Sequence, residues 1–225
     1  MNHRFVLLAP ALLTIAAAPQ VAPVPAVTPV PLATPVPLPA PSPAPKPYAT
    51  VGVTIVTSEG PIVLELERER APITTANFLR YVDGKRFDGT TFYRAMKLGQ
   101  AGLIQGGVRN ATKLIYPPIA HEPTTRTGLT HDDGAISLGR AAPGSGRGDF
   151  FIMVGSVPTL DANPAATGDK LGYAVFGHVT SGMEIVRHIL GEPTSPTAGP
   201  PAMKGQMLIA PIRILTARRV VAKRS

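Results

Sequence analysis

From Thr50 onward the chain alternates apolar and polar positions. In TVGVTIVTSEGPIVLELERE, Leu64 and Leu66 alternate with Glu65 and Glu67, the period of a half-buried strand. Ser58-Glu59-Gly60-Pro61 interrupts the run, which predicts two strands joined by a turn. The period then changes. In PITTANFLRYVDGKRFDG, Ala76, Leu79 and Val82 recur at helical spacing, and Phe78 widens the apolar stripe. Thr74 or Thr75 can cap this helix, and Gly84 stops it. Short apolar segments follow at Thr91–Met96, Ala101–Gln105, Gly134–Gly139, Asp149–Val154 and Gly172–Val179. GMEIVRHIL reads as a second helix, with Ile185 and Ile189 four apart and Gly191 as its stop. Met207–Ala217 is the last strand. About eight short strands with two helices predict a mainly β domain, an antiparallel barrel or sandwich. No internal repeat is evident.

The N-terminal residues follow other patterns. Residues 1–18 read MNHRFVLLAPALLTIAAA: a short positive start at His3 and Arg4, then an apolar run from Phe5 to Ala18 that ends in small residues. That is the pattern of a secretory signal peptide, and it is shorter than the ~20 residues of a comfortable membrane span. An uncleaved anchor is the alternative. Residues 19–48 form a proline-rich linker. Twelve of the 29 residues from Pro19 to Pro47 are proline, which excludes helix interior and sheet ladder. A disordered, semi-rigid polyproline II spacer is expected, able to reach ~90 Å when extended. The folded domain then spans 49–219, with a basic tail at 220–225. A periplasmic location follows from the signal peptide as an expectation.

Composition narrows the chemistry. The chain has no cysteine, so disulfides, thiolate metal sites and a cysteine nucleophile are excluded. Formal net charge is +8, but the basic residues are scattered, with a small cluster at Arg213, Arg218, Arg219, Lys223 and Arg224. There is no tryptophan and aromatics are 5%, unlike a basic face interleaved with stacking rings, so no nucleic-acid partner is expected. His121-Glu122 lacks the second histidine of a zinc-protease helix, and His131-Asp132-Asp133 reads more simply as a polar turn than as a metal cluster. GSGRGD, Gly144 to Asp149, lacks the lysine and hydroxyl of a phosphate loop, and its Arg-Gly-Asp is a chance occurrence. No Gly-x-Ser-x-Gly elbow is present.

Four segments occur in a specific order: TTANFLRYVDGKRFDGTTFYR, LIQGG, GAISLGRAAPGSGRGDFFI and GYAVFGHVTSGMEIV. Together they resemble the cyclophilin-type peptidyl-prolyl cis-trans isomerases, in their bacterial secreted form, over about residues 50–217. The resemblance implies a closed eight-stranded antiparallel barrel capped by two α-helices, consistent with the strand and helix reading above. It implies rotation about Xaa-Pro peptide bonds in exported proteins, no cofactor or metal, proline-containing polypeptides as partners, and a monomer. It puts the catalytic arginine at Arg94. Substrate-binding positions fall on Phe92, Leu103, Gln105, Gly139, Arg140, Asp149, Phe151, Leu160 and Tyr173. In this set Phe151 is the floor of a proline pocket, Leu103 and Leu160 are its walls, and Tyr173 is on its rim.

The chemistry suits these residue types. An amide resists rotation by ~18–20 kcal/mol because of resonance, and no bond must break to overcome it. A fixed guanidinium can donate to the amide once conjugation is lost, and a dry apolar pocket can hold the proline ring.

The chain also departs from the family pattern. Asp149 stands where glutamine is usual, and a carboxylate only accepts hydrogen bonds. It is expected to pair with Arg94 or Arg140. The segment between Arg94 and Gln105 is a few residues longer than usual, and Gly102 replaces a pocket aromatic. Arg140 replaces an asparagine, and Thr159 a large aromatic. These changes open an alternative function: a weak catalyst that binds proline segments because Asp149 captures Arg94.

Overall fold

The computed structural model describes residues 48–109 and 111–220. The expected signal peptide, nearly all of the proline-rich linker and the end of the basic tail lie outside the described residues.

The first hairpin pairs β1 (Thr50–Thr57) with β2 (Gly60–Glu67) in continuous register, from Thr50 opposite Glu67 to Thr57 opposite Gly60. The turn is therefore shorter than expected, only Ser58-Glu59. The remaining strands are β3 (Thr91–Leu98), β4 (Ala101–Gly107), β5 (Ala135–Leu138), β6 (Asp149–Val154), β7 (Ala174–Ser181), β8 (Thr194–Ser195) and β9 (Met207–Arg219). They are ordered β1-β2-β7-β5-β6-β4-β3-β9, and a β1–β9 pairing closes the ring. All ladders are antiparallel. The result is the expected closed eight-stranded barrel, with the two-residue β8 added beside β9. Closure removes the free edges that would otherwise template aggregation.

Among the described residues three α-helices accompany the barrel, one more than expected: α1 (Pro72–Asp83), the four-residue α2 (Thr124–Thr127) and α3 (Met183–Gly191). The apolar face of α1 lies on a cluster of aromatic rings. Phe78 meets Phe150 edge-to-face at 5.2 Å, and Phe92 meets the same ring at 5.6 Å. Such contacts add to area burial because ring edges and faces carry opposite partial charge.

The start of α1 differs from expectation. It begins at Pro72, and Thr74 and Thr75 are buried inside it rather than capping it. The capping group is the carboxylate of Glu122, 48 residues from Thr74 along the chain. It accepts from the backbone N–H of Ile73 at 3.2 Å, and from the N–H and hydroxyl of Thr74 at 2.7 Å each. Proline at N1 has no donor to satisfy, so the orphan amides of the first turn are fully accounted for. Glu122 is thus a helix cap, while the ring of its neighbour His121 lies 3.0 Å from the Leu171 carbonyl.

Two cationic residues of the expected C-terminal cluster are also structural. Arg218 pairs with Asp88 at 2.7 Å and Arg219 with Asp83 at 2.6 Å, pinning β9 to the end of α1 and the loop after it.

Candidate active site

The site is built on one rung of the barrel. Arg94 on β3 lies opposite Gln105 on β4, Gln105 opposite Phe151 on β6, and Phe151 opposite Ser137 on β5. A β-bulge sets the direction of Arg94. Register shifts between Phe92 and Arg94 against both β4 and β9. Phe92 and Ala95 therefore both join the core, while Tyr93 and Arg94 fall between them and stay outside the core cluster. Bulges re-aim side chains in this way. Phe92, expected to touch substrate, is 0% exposed and packs in the interior, so it supports the site from below.

Arg94 is half-buried, and its guanidinium is held by two neutral amides. Nη1 donates to Gln105 Oε1 at 2.7 Å. Nε and Nη2 both donate to Gln206 Oε1, at 2.8 and 2.5 Å. Nη2 also reaches the Met96 sulfur at 3.2 Å. Burial lowers the affinity of the guanidinium for its proton relative to a free arginine, yet an arginine starts high enough to remain a cation.

Asp149 pairs with neither arginine. Its Oδ2 accepts from the Tyr93 hydroxyl at 3.1 Å and its Oδ1 from the Arg109 backbone N–H at 2.6 Å. Burial raises the carboxyl above its ordinary range, against the opposing pull of these donors. Burial also raises the Tyr93 phenol, with Asp149 adding to it, so Tyr93 keeps its proton and donates. The expectation of an Asp149–Arg94 or Asp149–Arg140 pair is corrected. This carboxylate is occupied by its own neighbours, and the Arg-Gly-Asp of the sequence is built into the mouth of β6.

Arg140 is turned away as well. Its Nε donates to the Gly172 carbonyl at 3.0 Å, and Nη2 bonds both Gly172 O and Asp169 Oδ2. The side chain is 2% exposed and lies over the Tyr173 ring at 5.0 Å. It ties the 169–172 segment down. Gly139, next to it, donates its N–H to the Asp149 carbonyl at 2.8 Å.

Two of the apolar positions flank Tyr173. Phe151 is buried and meets Tyr173 edge-to-face at 5.3 Å. Leu103 is buried two residues before Gln105, and the half-buried Leu160 accepts from the Tyr173 N–H at 2.9 Å. Thr159 is exposed beside Leu160. Gly102 has no room for the aromatic it replaces. A side chain there would meet the Met96 carbonyl oxygen at 2.5 Å and Leu190 at 3.0 Å. The longer Arg94–Gln105 segment is a longer hairpin, continuing to Leu98 opposite Ala101. Gln105-Gly106-Gly107 also has a steric basis. Gly107 has φ +127°, and a Cβ would lie 2.3 Å from the Gly148 carbonyl. A cavity of about 470 Å³ opens beside the rung, lined by Tyr93, Gln105, Gly139, Arg140, Asp149 and Met207 among others.

Behind Phe151 sits His131, whose sequence context predicts only a polar turn. His131 is fully buried and stacks on Phe151, centroids 5.9 Å apart and planes 12° apart. Its Nδ1 lies 2.6 Å from Asp161 Oδ1 and its Nε2 3.1 Å from Ser137 Oγ. A neutral ring donating to Asp161 and accepting from Ser137 satisfies both nitrogens. Burial lowers its pKa below the ordinary histidine value, although Asp161 opposes this. Asp132 and Asp133 point elsewhere, to Ser156 and to Arg187. Gln206 is the other residue missed. It precedes β9 in a segment with no local pattern, and its proximity to Arg94 is purely tertiary.

Comparison with known proteins agrees with this geometry. The family model described as Cyclophilin type peptidyl-prolyl cis-trans isomerase/CLD matches residues 52–216. The chain is 37% identical over 151 residues to peptidyl-prolyl cis-trans isomerase cyp18 of Streptomyces antibioticus, covering 65% of this chain and 87% of that one. It is 34% identical over 148 residues to peptidyl-prolyl cis-trans isomerase B of Escherichia coli, covering 63% and 85%. Among solved structures, a Cryptosporidium parvum cyclophilin-type isomerase superposes with TM-score 0.59 at 23% identity, covering 77% of this chain and 99% of that one. That protein in the presence of the dipeptide Ala-Pro superposes with TM-score 0.60 at 24% identity, covering 76% and 99%. The chain belongs to the cyclophilin-type peptidyl-prolyl cis-trans isomerase family, and its class of activity is isomerase.

Proposed function

We propose that this chain isomerises Xaa-Pro bonds in exported polypeptides, with Arg94 as the catalytic residue and Phe151, Leu103 and Leu160 as the proline pocket. One observation carries the reading. A half-buried guanidinium, held by amides and not by a carboxylate, stands on the same rung as a buried phenylalanine. The pocket immobilises the proline ring. The guanidinium then donates to the amide as conjugation is lost, and it does so in a site with little water to screen it. A charge-assisted hydrogen bond of ~1.5–3 kcal/mol corresponds to about 10- to 100-fold in rate. Holding the ring supplies the rest. The signal-peptide pattern of residues 1–18 supports a periplasmic setting and export clients.

The alternative of a weak binding module rested on Asp149 capturing Arg94, and Asp149 is instead bonded to Tyr93 and Arg109. The test is cis-to-trans exchange of an Ala-Pro peptide, measured by NMR with the full chain and with Arg94→Ala. Acceleration by the parent and its loss in a folded variant is the expected result. A folded parent that leaves the exchange rate at background refutes the reading.

A further inference from the structure

We propose that Gln206 is a positioning residue for Arg94, a neutral fork that aims the guanidinium while leaving its charge unspent. The proposal rests on the reading of Arg94 as catalytic. A guanidinium has five N–H donors. In this chain Nε gives its one to Gln206, Nη2 gives one to Gln206 and one toward the Met96 sulfur, and Nη1 gives one to Gln105. A single N–H remains, on Nη1. The direction of that donor is fixed by the plane of the group, and two of the four bonds that fix the plane come from one oxygen of Gln206.

Gln206 is well placed to hold something else still. Its carbonyl accepts the N–H of Ala95, the residue after Arg94, at 2.9 Å. Its own N–H donates to Met203 O at 3.1 Å, at the end of the 3-10 turn Pro201–Met203. The backbone on which the fork is mounted is thus tied directly to β3, beside the side chain it holds. The bulge at Phe92/Arg94 brings Arg94 opposite Met207, which puts Gln206 within reach. A glutamate here would offer the same fork but would form an ion pair, and the field at the remaining N–H would fall. An amide accepts without cancelling charge. Gln105 is the same type of group on the other side, so the guanidinium is flanked by two uncharged acceptors.

The test uses the full chain with Gln206→Ala and Gln206→Glu, and it has two readouts. Peptide exchange kinetics give kcat and KM. NMR of the Arg94 Nε–H reports the fork directly, because a hydrogen-bonded guanidinium proton exchanges slowly with water. Gln206→Ala is expected to lose the protected Nε–H resonance and about tenfold in kcat/KM, mostly in kcat, because the apolar pocket is untouched. Gln206→Glu is expected to keep the resonance and still lose at least as much turnover. A purely structural role predicts instead that Gln206→Glu, with the fork intact, matches the parent. Parental turnover in either variant, or an unchanged Nε–H in Gln206→Ala, overturns the proposal. A parent without Arg94-dependent exchange refutes the isomerase reading, and the Nε–H resonance then still decides whether Gln206 holds the group.

Discussion

Replacing Glu122 with alanine should unfold the domain far more easily than any surface change. Glu122 is 0% exposed and sits over the first turn of α1. Its two oxygens accept three hydrogen bonds, from the amides of Ile73 and Thr74 and from the Thr74 hydroxyl. No side chain of the helix substitutes for it, because the N-cap position is Ala71. Alanine would leave two amides and a hydroxyl without partners in a place sealed from solvent. Each unsatisfied buried group costs ~1–3 kcal/mol, and part is recovered if water enters. Loss of the negative charge beside the helix N-terminus adds ~0.3–2 kcal/mol. The expected total is about 4 kcal/mol for Glu122→Ala and about 2 kcal/mol for Glu122→Gln, which keeps one acceptor oxygen. In a domain of this size 1 kcal/mol moves Tm by roughly 2–4 °C, so the alanine variant should melt roughly 8–16 °C lower. Calorimetry and urea unfolding measure this. A loss below about 1 kcal/mol for alanine, or a larger loss for glutamine than for alanine, would refute the capping account.

Three further outcomes follow from the site. Asp149→Asn should fold and turn over, because Asn can accept from the Arg109 N–H while its amide donates to a reoriented Tyr93 hydroxyl. Burial raises the Asp149 carboxyl above 3.8, so its contribution is full below that value and is lost as pH rises through the folded value. The parent should therefore lose stability relative to the asparagine variant as pH rises above 3.8, and a flat difference in urea midpoints would count against it. His131 has the opposite sign. Its folded pKa lies below 6.5, so the unfolded chain binds the extra proton first and stability falls as pH drops below 6.5. An imidazole NMR titration showing His131 protonating above 6.5 would contradict this. Gly102→Ala should cost about 1–3 kcal/mol on melting, because a Cβ there presses on backbone and on Leu190.

Much of the barrel was legible because strand alternation and helical spacing are local. The ordered segments from Thr74 to Val186 then carried the resemblance. The misreadings share a cause, which is that each depended on a distant partner or a break in period. Strict alternation puts Phe92 and Arg94 on one face, and a bulge at Tyr93 separates them. The threonines that looked like caps were buried because Glu122 does the capping from elsewhere in the chain. Asp149 and Arg140 looked like partners only while Tyr93, Arg109 N–H and Asp169 were unplaced. Gln206, 112 residues from Arg94, carries no periodic or compositional mark. The four residues of α2 and the two of β8 are too short to produce a period at all.

The ring closes between the first strand and the last, with Val53 opposite Arg219. This pairing has a consequence for biogenesis. Until residues 207–219 have been made, β1 and β3 each present an unpaired edge, and the loop that must close spans nearly the whole domain. Such non-local closure slows folding and exposes strand edges while it waits. The same last segment brings Gln206 to Arg94. A chain interrupted before β9 would therefore lack both its final wall and the residue that holds the Arg94 guanidinium, so competence should arrive late, at the completion of the chain, instead of growing strand by strand.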